Sequence, residues 1–221
     1  MHYRRTSLLR LSFVVLLVLF IQLSLSISPV LSQDIKIGAQ IWTSKNLDVS
    51  TFRNGEAIPE AKNAKQWVKA GKNTTAAFCY YNFDSKNGKV YGKLYNWFAV
   101  NDSRGLAPKG YHIPSDAEWT ILTEFLGGRD IAGKKMKSKD GWSDDGNGDN
   151  SSGFNGLPGG YCGYNGYFSN RSGNGYWWSS SEDSTTNASV AWFRGLDNYY
   201  TPVLRNGNSE NDGFSVRCLR D

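Results

Sequence analysis

The stretch HIPSDAEWTILTEFLGG, residues 112–128, decides how the fold of this chain is interpreted. Ser115 is followed three positions later by Glu118, and this spacing predicts a capping box at a helix start directly behind Pro114. Two glycines close the segment and provide a left-handed helix stop. We therefore expect an amphipathic helix with one apolar face, made of Trp119, Leu122, Phe125 and Leu126.

Helical and extended patterns continue on the N-terminal side of this stretch. The segment YGKLYNWFAV, residues 91–100, carries apolar side chains three or four positions apart and predicts a second helix. A third, shorter helix is expected between Ala61 and Ala70. Alternating apolar residues at 35–42 favour strands, and Asn54-Gly55 is a typical hairpin turn.

The C-terminal part has a different composition, because 14 of the 24 glycines lie between Gly141 and Gly213. Interleaved with Asn, Ser and aromatic residues, they indicate long loops on a β framework. Alternation in the lysine-rich run 134–139 is interpreted as a solvated strand. The fold class expected is α+β, with late strands at residues 176–181, 189–194, 199–204 and 214–219.

The N-terminus has the organisation of a signal peptide. Three arginines precede an apolar run at residues 11–21, and Val30 and Ser32 occupy the −3 and −1 positions of a cleavage site before Gln33. We expect residues 1–32 to be the leader and residues 33–221 to be a single domain, secreted, periplasmic or at the cell surface. An uncleaved anchor is the alternative, but the run is shorter than the roughly 20 residues that span a bilayer.

The charge of the chain argues against nucleic acid as a partner. The formal net charge is +5, but three of the 25 basic residues belong to the leader. Residues 33–221 therefore carry 22 basic and 20 acidic side chains, which gives +2. A protein that neutralises phosphates normally has a larger basic excess.

Several separated motifs follow one another along the chain: YGKLYNWFAV, GLAPKGYHIPSDAEWTIL, AGKKMKS, GFNGLPGGY, YWWSSS and GFSVRCLRD. In this order they resemble the Fibrobacter succinogenes major paralogous domain, a family of secreted bacterial modules of unassigned biochemistry. The resemblance runs from about Ile37 to Asp221. That family is similar to the formylglycine-generating enzyme group and, more remotely, to C-type lectin-like proteins, which implies a C-type lectin-like fold with two main helices, a mixed or antiparallel sheet and long Gly/Asn/Ser-rich loops.

The resemblance also bears on the three cysteines. Their number and spacing leave all three pairings open. The resemblance implies that Cys79 and Cys218 are the family-like cysteines and favours a disulfide between them, whereas Cys162 is peculiar to this chain.

Departures from these families limit the function that can be expected. Formylglycine-generating enzymes hold copper with a close pair of cysteines, and sugar-binding C-type lectins use Glu-Pro-Asn or Gln-Pro-Asp with Trp-Asn-Asp; this chain has neither set. His112, the only histidine after the leader, is interpreted as a packing or hydrogen-bonding residue. We therefore expect a non-catalytic binding or adhesion module. The alternatives are a diverged formylglycine-type oxidase, a carboxylate-based hydrolase and a structural subunit of a surface assembly.

Aromatic residues in the glycine-rich loops suggest how such a module recognises a glycan or a cell-envelope protein. Aromatic rings stack on the C–H faces of sugars, while Asn and Ser side chains reach hydroxyls. The alternative is that these rings form the core. The candidate ligand-binding residues are Tyr161, Tyr164, Tyr167, Trp177, Trp178, Trp192, Tyr199 and Tyr200.

A calcium ion is the one cofactor that the sequence suggests. Asp145, Asn147 and Asp149 alternate on a flexible turn and offer oxygen ligands. An EF-hand is excluded, because Asn150 stands where its glycine is needed and Gly156 where its glutamate is needed. A solvated turn is the alternative.

Overall fold

A computed structural model describes residues 34–185 and 189–221. The predicted signal peptide lies outside the described residues. Within the described part of the chain, no helix is both long enough and apolar enough to cross a lipid bilayer.

Five α-helices lie among these residues, and the longest of them lies within the stretch 112–128 from which the sequence was interpreted. The capping box of the helix α4 is confirmed: the Ser115 side chain accepts from the Glu118 N–H, and the Glu118 carboxylate accepts from the Ser115 N–H. The helices are α1 (Ala64–Lys72), α2 (Gly88–Tyr91), α3 (Trp97–Val100), α4 (Asp116–Phe125) and α5 (Arg129–Met136).

Strands make up most of the regular structure, so the protein is a mixed α and β fold in which β predominates. A four-stranded sheet has the order β1-β2-β11-β5, a five-stranded sheet has the order β10-β9-β8-β6-β7, and β3 pairs with β4. All pairs are antiparallel except β6 with β8. The strands are β1 (Asp34–Ile37), β2 (Gln40–Thr43), β3 (Phe78–Cys79), β4 (Leu94–Tyr95), β5 (Tyr111–His112), β6 (Gly159–Cys162), β7 (Phe168–Arg171), β8 (Asn174–Glu182), β9 (Val190–Asp197), β10 (Leu204–Ser209) and β11 (Leu219–Arg220).

Strand β8 is covered on both faces. Successive side chains of a strand point to opposite faces, and both Trp177 and Trp178 are 0% exposed. Trp177 packs edge-on against Phe154 in one apolar cluster. Trp178 packs against Phe214 in another. The core therefore lies in two layers, one on each side of this strand.

Four local expectations are wrong. Residues 91–100 do not form one helix, because Gly92 adopts a left-handed φ of 73° and Asn96 begins a new short helix by accepting a hydrogen bond from Ala99 N–H. The lysine-rich run is not a strand, since α5 extends to Met136. The strand expected at residues 199–204 begins only at Leu204, and of residues 214–219 only the last belongs to β11.

The three cysteines lie in two different clusters. Cys79, Cys162 and Cys218 all belong to the described part of the chain and are buried thiols. Cys79 and Cys162 belong to one apolar cluster, whereas Cys218 packs in a different cluster. The disulfide between Cys79 and Cys218 that the resemblance favours stays a prediction.

Candidate functional site

A cleft of about 210 Å³ opens beside the end of β9 and the start of β10. Tyr176 and Tyr200 supply aromatic walls, and Asn174 and Asp197 supply polar groups. The remaining lining residues are Arg129, Gly195, Leu196, Pro202 and Leu204. A concave, largely apolar site with a few convergent polar groups is the ordinary form of a small-ligand site.

The polar groups of the cleft are held in place by each other. Asn174 Nδ2 donates to the Asp197 carboxylate at 2.8 Å. The second oxygen of Asp197 accepts the Tyr199 N–H at 2.7 Å. Arg129 Nε donates to the Val203 carbonyl at 3.1 Å. The cleft thus presents one carboxylate and one guanidinium that are both fixed in direction.

The loop that carries Tyr199 and Tyr200 follows β9 and leaves both rings in solvent. They are 71% and 66% exposed. Lys137, although 4% exposed, reaches under this loop and donates to the carbonyls of Asp197 at 2.9 Å and Tyr200 at 3.3 Å. Burial lowers the pKa of Lys137. Two of the predicted ligand-binding residues are therefore displayed on a loop that is anchored from below.

The acidic loop predicted for calcium lies next to this aromatic loop. The Asp144 carboxylate accepts from Asn198 Nδ2 at 3.0 Å and from the Tyr199 hydroxyl at 3.1 Å. Two of the predicted calcium ligands already accept hydrogen bonds within the loop: Asn147 from the Trp142 N–H, and Asp149 from the Ser151 N–H.

Backbone geometry accounts for some of the acidic residues in that loop. Asp144 and Asp145 both adopt left-handed φ values, of 52° and 58°, which Asp tolerates better than most residues. Among the described residues, no three His, Cys, Asp or Glu side chains cluster as a metal site would require. Calcium binding through Asp145, Asn147 and Asp149 stays a prediction.

Four of the predicted ligand-binding rings pack against other side chains of the protein. Trp177 and Trp178 are in the core, and Tyr161 packs edge-on against Tyr176 and Phe214. Trp192 is half-buried, and its ring is covered by the Arg205 guanidinium, 3.7 Å from the ring centroid. The structure does not bring these four together with Tyr199 and Tyr200 as one exposed surface.

Tyr164 and Tyr167 form a second exposed pair, on the loop between β6 and β7. They are 65% and 74% exposed, and neither lines the cleft. The buried Asp212 holds the start of this loop by accepting the Tyr164 N–H at 2.6 Å, and it also accepts from Asn208 Nδ2 at 2.7 Å. Burial raises the pKa of Asp212 to about 6, against these hydrogen bonds.

His112 lies between two carboxylates. Its Nδ1 is 2.8 Å from Asp221 and its Nε2 is 2.9 Å from Glu118. Burial lowers the pKa of His112, but these two hydrogen bonds outweigh it and the net shift is upward. The nearby Ser115 hydroxyl donates to Glu118. The arrangement favours an imidazolium with both nitrogens donating, rather than a general base directed at a serine.

Sequence reasoning missed several residues of the cleft. Asn174, Tyr176 and Leu204 come together only because β8, β9 and β10 are neighbours in the sheet. Alternation along β8 could have indicated Tyr176, since it points away from Trp177. The role of Lys137 had no local signal, because the carbonyls that it binds are about 60 residues away in sequence.

Comparison with known proteins gives one match. A family model, the Fibrobacter succinogenes major domain, matches residues 35–220, which is most of the chain. No curated protein and no solved structure matches the chain.

Proposed function

This chain belongs to the Fibrobacter succinogenes major domain family, and we propose that it is a non-catalytic module that binds glycan through the cleft between Tyr176 and Tyr200. The observation that carries the proposal is the cleft itself, where two tyrosines flank a fixed carboxylate and a fixed guanidinium. The module acts outside the cytoplasm, which the arginine-flanked apolar leader supports.

The chemistry of the cleft suits a sugar ring. Aromatic faces pack on the apolar C–H faces of a pyranose, and the Tyr200 ring is exposed enough to do so. Sugar hydroxyls both donate and accept hydrogen bonds. The Asp197 carboxylate accepts hydrogen bonds and the Arg129 guanidinium donates them, so the cleft offers a partner for each kind of hydrogen bond that a sugar hydroxyl makes.

The size of the cleft limits what enters it. Its volume of about 210 Å³ is below the roughly 300–1,000 Å³ of clefts that enclose drug-sized ligands. One sugar unit or the end of a chain fits better than an extended oligosaccharide. Tyr199 lies on the same loop as Tyr200 and is exposed, and we propose that its ring stacks on a neighbouring sugar unit.

We assign the fold to the C-type lectin-like type as part of this proposal. Two features support it: the N-terminal β2 pairs with the C-terminal β11, and a long segment without a named helix or strand, residues 137–158, connects α5 to β6. In such a fold the loops carry recognition, which agrees with the position of the cleft.

The test is a binding screen of the protein against soluble and insoluble polysaccharides, repeated with Tyr200→Ala. The Tyr167→Ala variant is a matched control, because it removes an equally exposed tyrosine outside the cleft. We expect at least about tenfold weaker binding for Tyr200→Ala, from loss of one stacked ring, and unchanged binding for Tyr167→Ala.

Other outcomes of the same screen are decisive. Weaker binding in Tyr167→Ala alone would move recognition to the loop between β6 and β7. Loss of binding on chelation would assign calcium a role at the loop of Asp145, Asn147 and Asp149. Absence of binding to every glycan, with capture of a purified cell-envelope protein instead, would overturn the glycan proposal.

A further inference from the structure

Two cysteines share a closed apolar cluster. Cys79 ends β3 and Cys162 ends β6, and both side chains are 0% exposed. The Trp67 indole and the Cys162 side chain both pack against Gly213, so these two groups are close neighbours within the cluster. Cys79 and Cys162 belong to the same buried cluster, and the neighbouring Cys162 thiol contributes to the raised pKa of Cys79.

We propose that Cys79 and Cys162 are joined by a disulfide bond when the protein folds under oxidising conditions, and that Cys218 stays a thiol. In this reaction the two thiols lose two protons and two electrons and form one S–S bond. A low-molecular-weight disulfide, such as oxidised glutathione, accepts the electrons; its own S–S bond breaks and gives two thiols.

The third cysteine is placed differently. Cys218 packs with Tyr95, Trp178 and Val216 in a different cluster. Its N–H donates to the Thr43 hydroxyl, which fixes the strand next to β2. A disulfide needs Cα atoms within about 7 Å, and Cys218 packs in a different cluster from Cys79 and Cys162, so we expect it to stay unpaired.

The burial of Cys79 and Cys162 determines at which stage of folding the disulfide forms. Burial, and then the neighbouring Cys162, hold the pKa of the Cys79 thiol well above its usual range. The thiolate is the reacting species in disulfide exchange, so the folded dithiol reacts slowly. The bond therefore forms while the chain folds, and the same burial protects it afterwards.

The bond would join two parts of the chain that are 83 residues apart. It fixes the end of β6, from which the loop with Tyr164 and Tyr167 starts. Cross-linking a loop of this length stabilises a fold mainly by restricting the unfolded chain.

The experiment is to refold the protein with oxidised glutathione, block free thiols and digest with trypsin without reduction. Cleavage after lysine and arginine places the three cysteines in separate peptides, residues 73–86, 140–171 and 218–220. We expect the first two peptides to be linked and the third to carry the blocking group. The refolded protein should melt several degrees higher than the reduced protein.

Two single substitutions make the result decisive. Cys218→Ser should retain the linked peptides and the higher melting temperature. Cys162→Ser should lose both, and its melting temperature should not depend on the oxidant. Linkage of residues 73–86 to residues 218–220, or three blocked thiols in the oxidised wild-type protein, would overturn the proposal.

Discussion

The ammonium group of Lys137 lies 2.9 Å from the carbonyl oxygen of Asp197 and donates a hydrogen bond to it. The same group reaches the Tyr200 carbonyl. Lys137 follows α5 directly, so its stem is fixed by the helix and its head crosses to the loop after β9. A buried cation that donates to two backbone carbonyls thus supports the loop that displays Tyr199 and Tyr200.

Lys137→Met keeps the apolar stem of the side chain and removes its donors. Leaving two partly buried carbonyls without this donor is expected to lower the free energy of unfolding by about 2 kcal/mol. We also expect weaker glycan binding, because the loop with Tyr200 loses its anchor. Urea unfolding and the binding screen measure the two effects. Lys139→Met, at an exposed position, should change neither; equal effects of both substitutions would contradict the anchoring role.

Gly133 permits the close approach of α5 to the same loop. A Cβ at this position would stand 2.1 Å from the Thr201 carbonyl oxygen, so Gly133→Ala must displace the loop. We expect a loss of about 1–3 kcal/mol in unfolding free energy, in spite of the better helix propensity of alanine. Gly173→Ala is the control, since its Cβ would come no closer than 3.6 Å to another atom outside its chain neighbours. If Gly133→Ala were as stable as the wild type, the loop at Thr201 would be able to move away from the added methyl group with no loss of unfolding free energy.

Asp212 should make the stability of the protein depend on pH. Burial raises its folded-state pKa to about 6, above the ordinary value of 3.8, so the folded state binds the proton more tightly than the unfolded state. The contribution of Asp212 to stability is therefore greatest below the unfolded pKa and falls as pH rises from about 4 to about 6, by roughly 3 kcal/mol.

Asp212→Asn removes this titration. We expect the variant to match the wild type near pH 4 and to be more stable at pH 8, and the difference between the two melting curves across pH isolates the contribution of Asp212. Asp140→Asn, at an exposed carboxylate, should not change the pH profile. A constant difference between Asp212→Asn and the wild type at all pH values would show that burial does not hold a proton there.

Short sequence motifs were sufficient to predict those local structures that depend only on residues close together in sequence. The capping box of α4 is confirmed because Ser115 and Glu118 satisfy each other within one turn. The prediction of one helix at residues 91–100 is wrong for a similarly local reason. Gly92 adopts a left-handed conformation, which the spacing of apolar residues does not predict.

Burial of the aromatic residues could not be decided in the same way. Alternation shows that Trp177 and Trp178 point to opposite faces, but it does not show that both faces of β8 are covered. That depends on Phe154 and Phe214, which arrive from distant segments. For the same reason the sequence pointed to Tyr199 and Tyr200 but not to the cleft beside them.

The pairing of β11 between β2 and β5 has a consequence for the order of events during synthesis. Leu219 of β11 pairs with both Trp42 of β2 and His112 of β5. Strand β2 is synthesised early, so its edge toward β11 stays unpaired until residue 219 is available. Contacts this far apart in sequence slow folding and leave unpaired strand edges exposed meanwhile. A nascent chain of this protein must therefore be kept from associating with others through β2 until translation has passed Leu219.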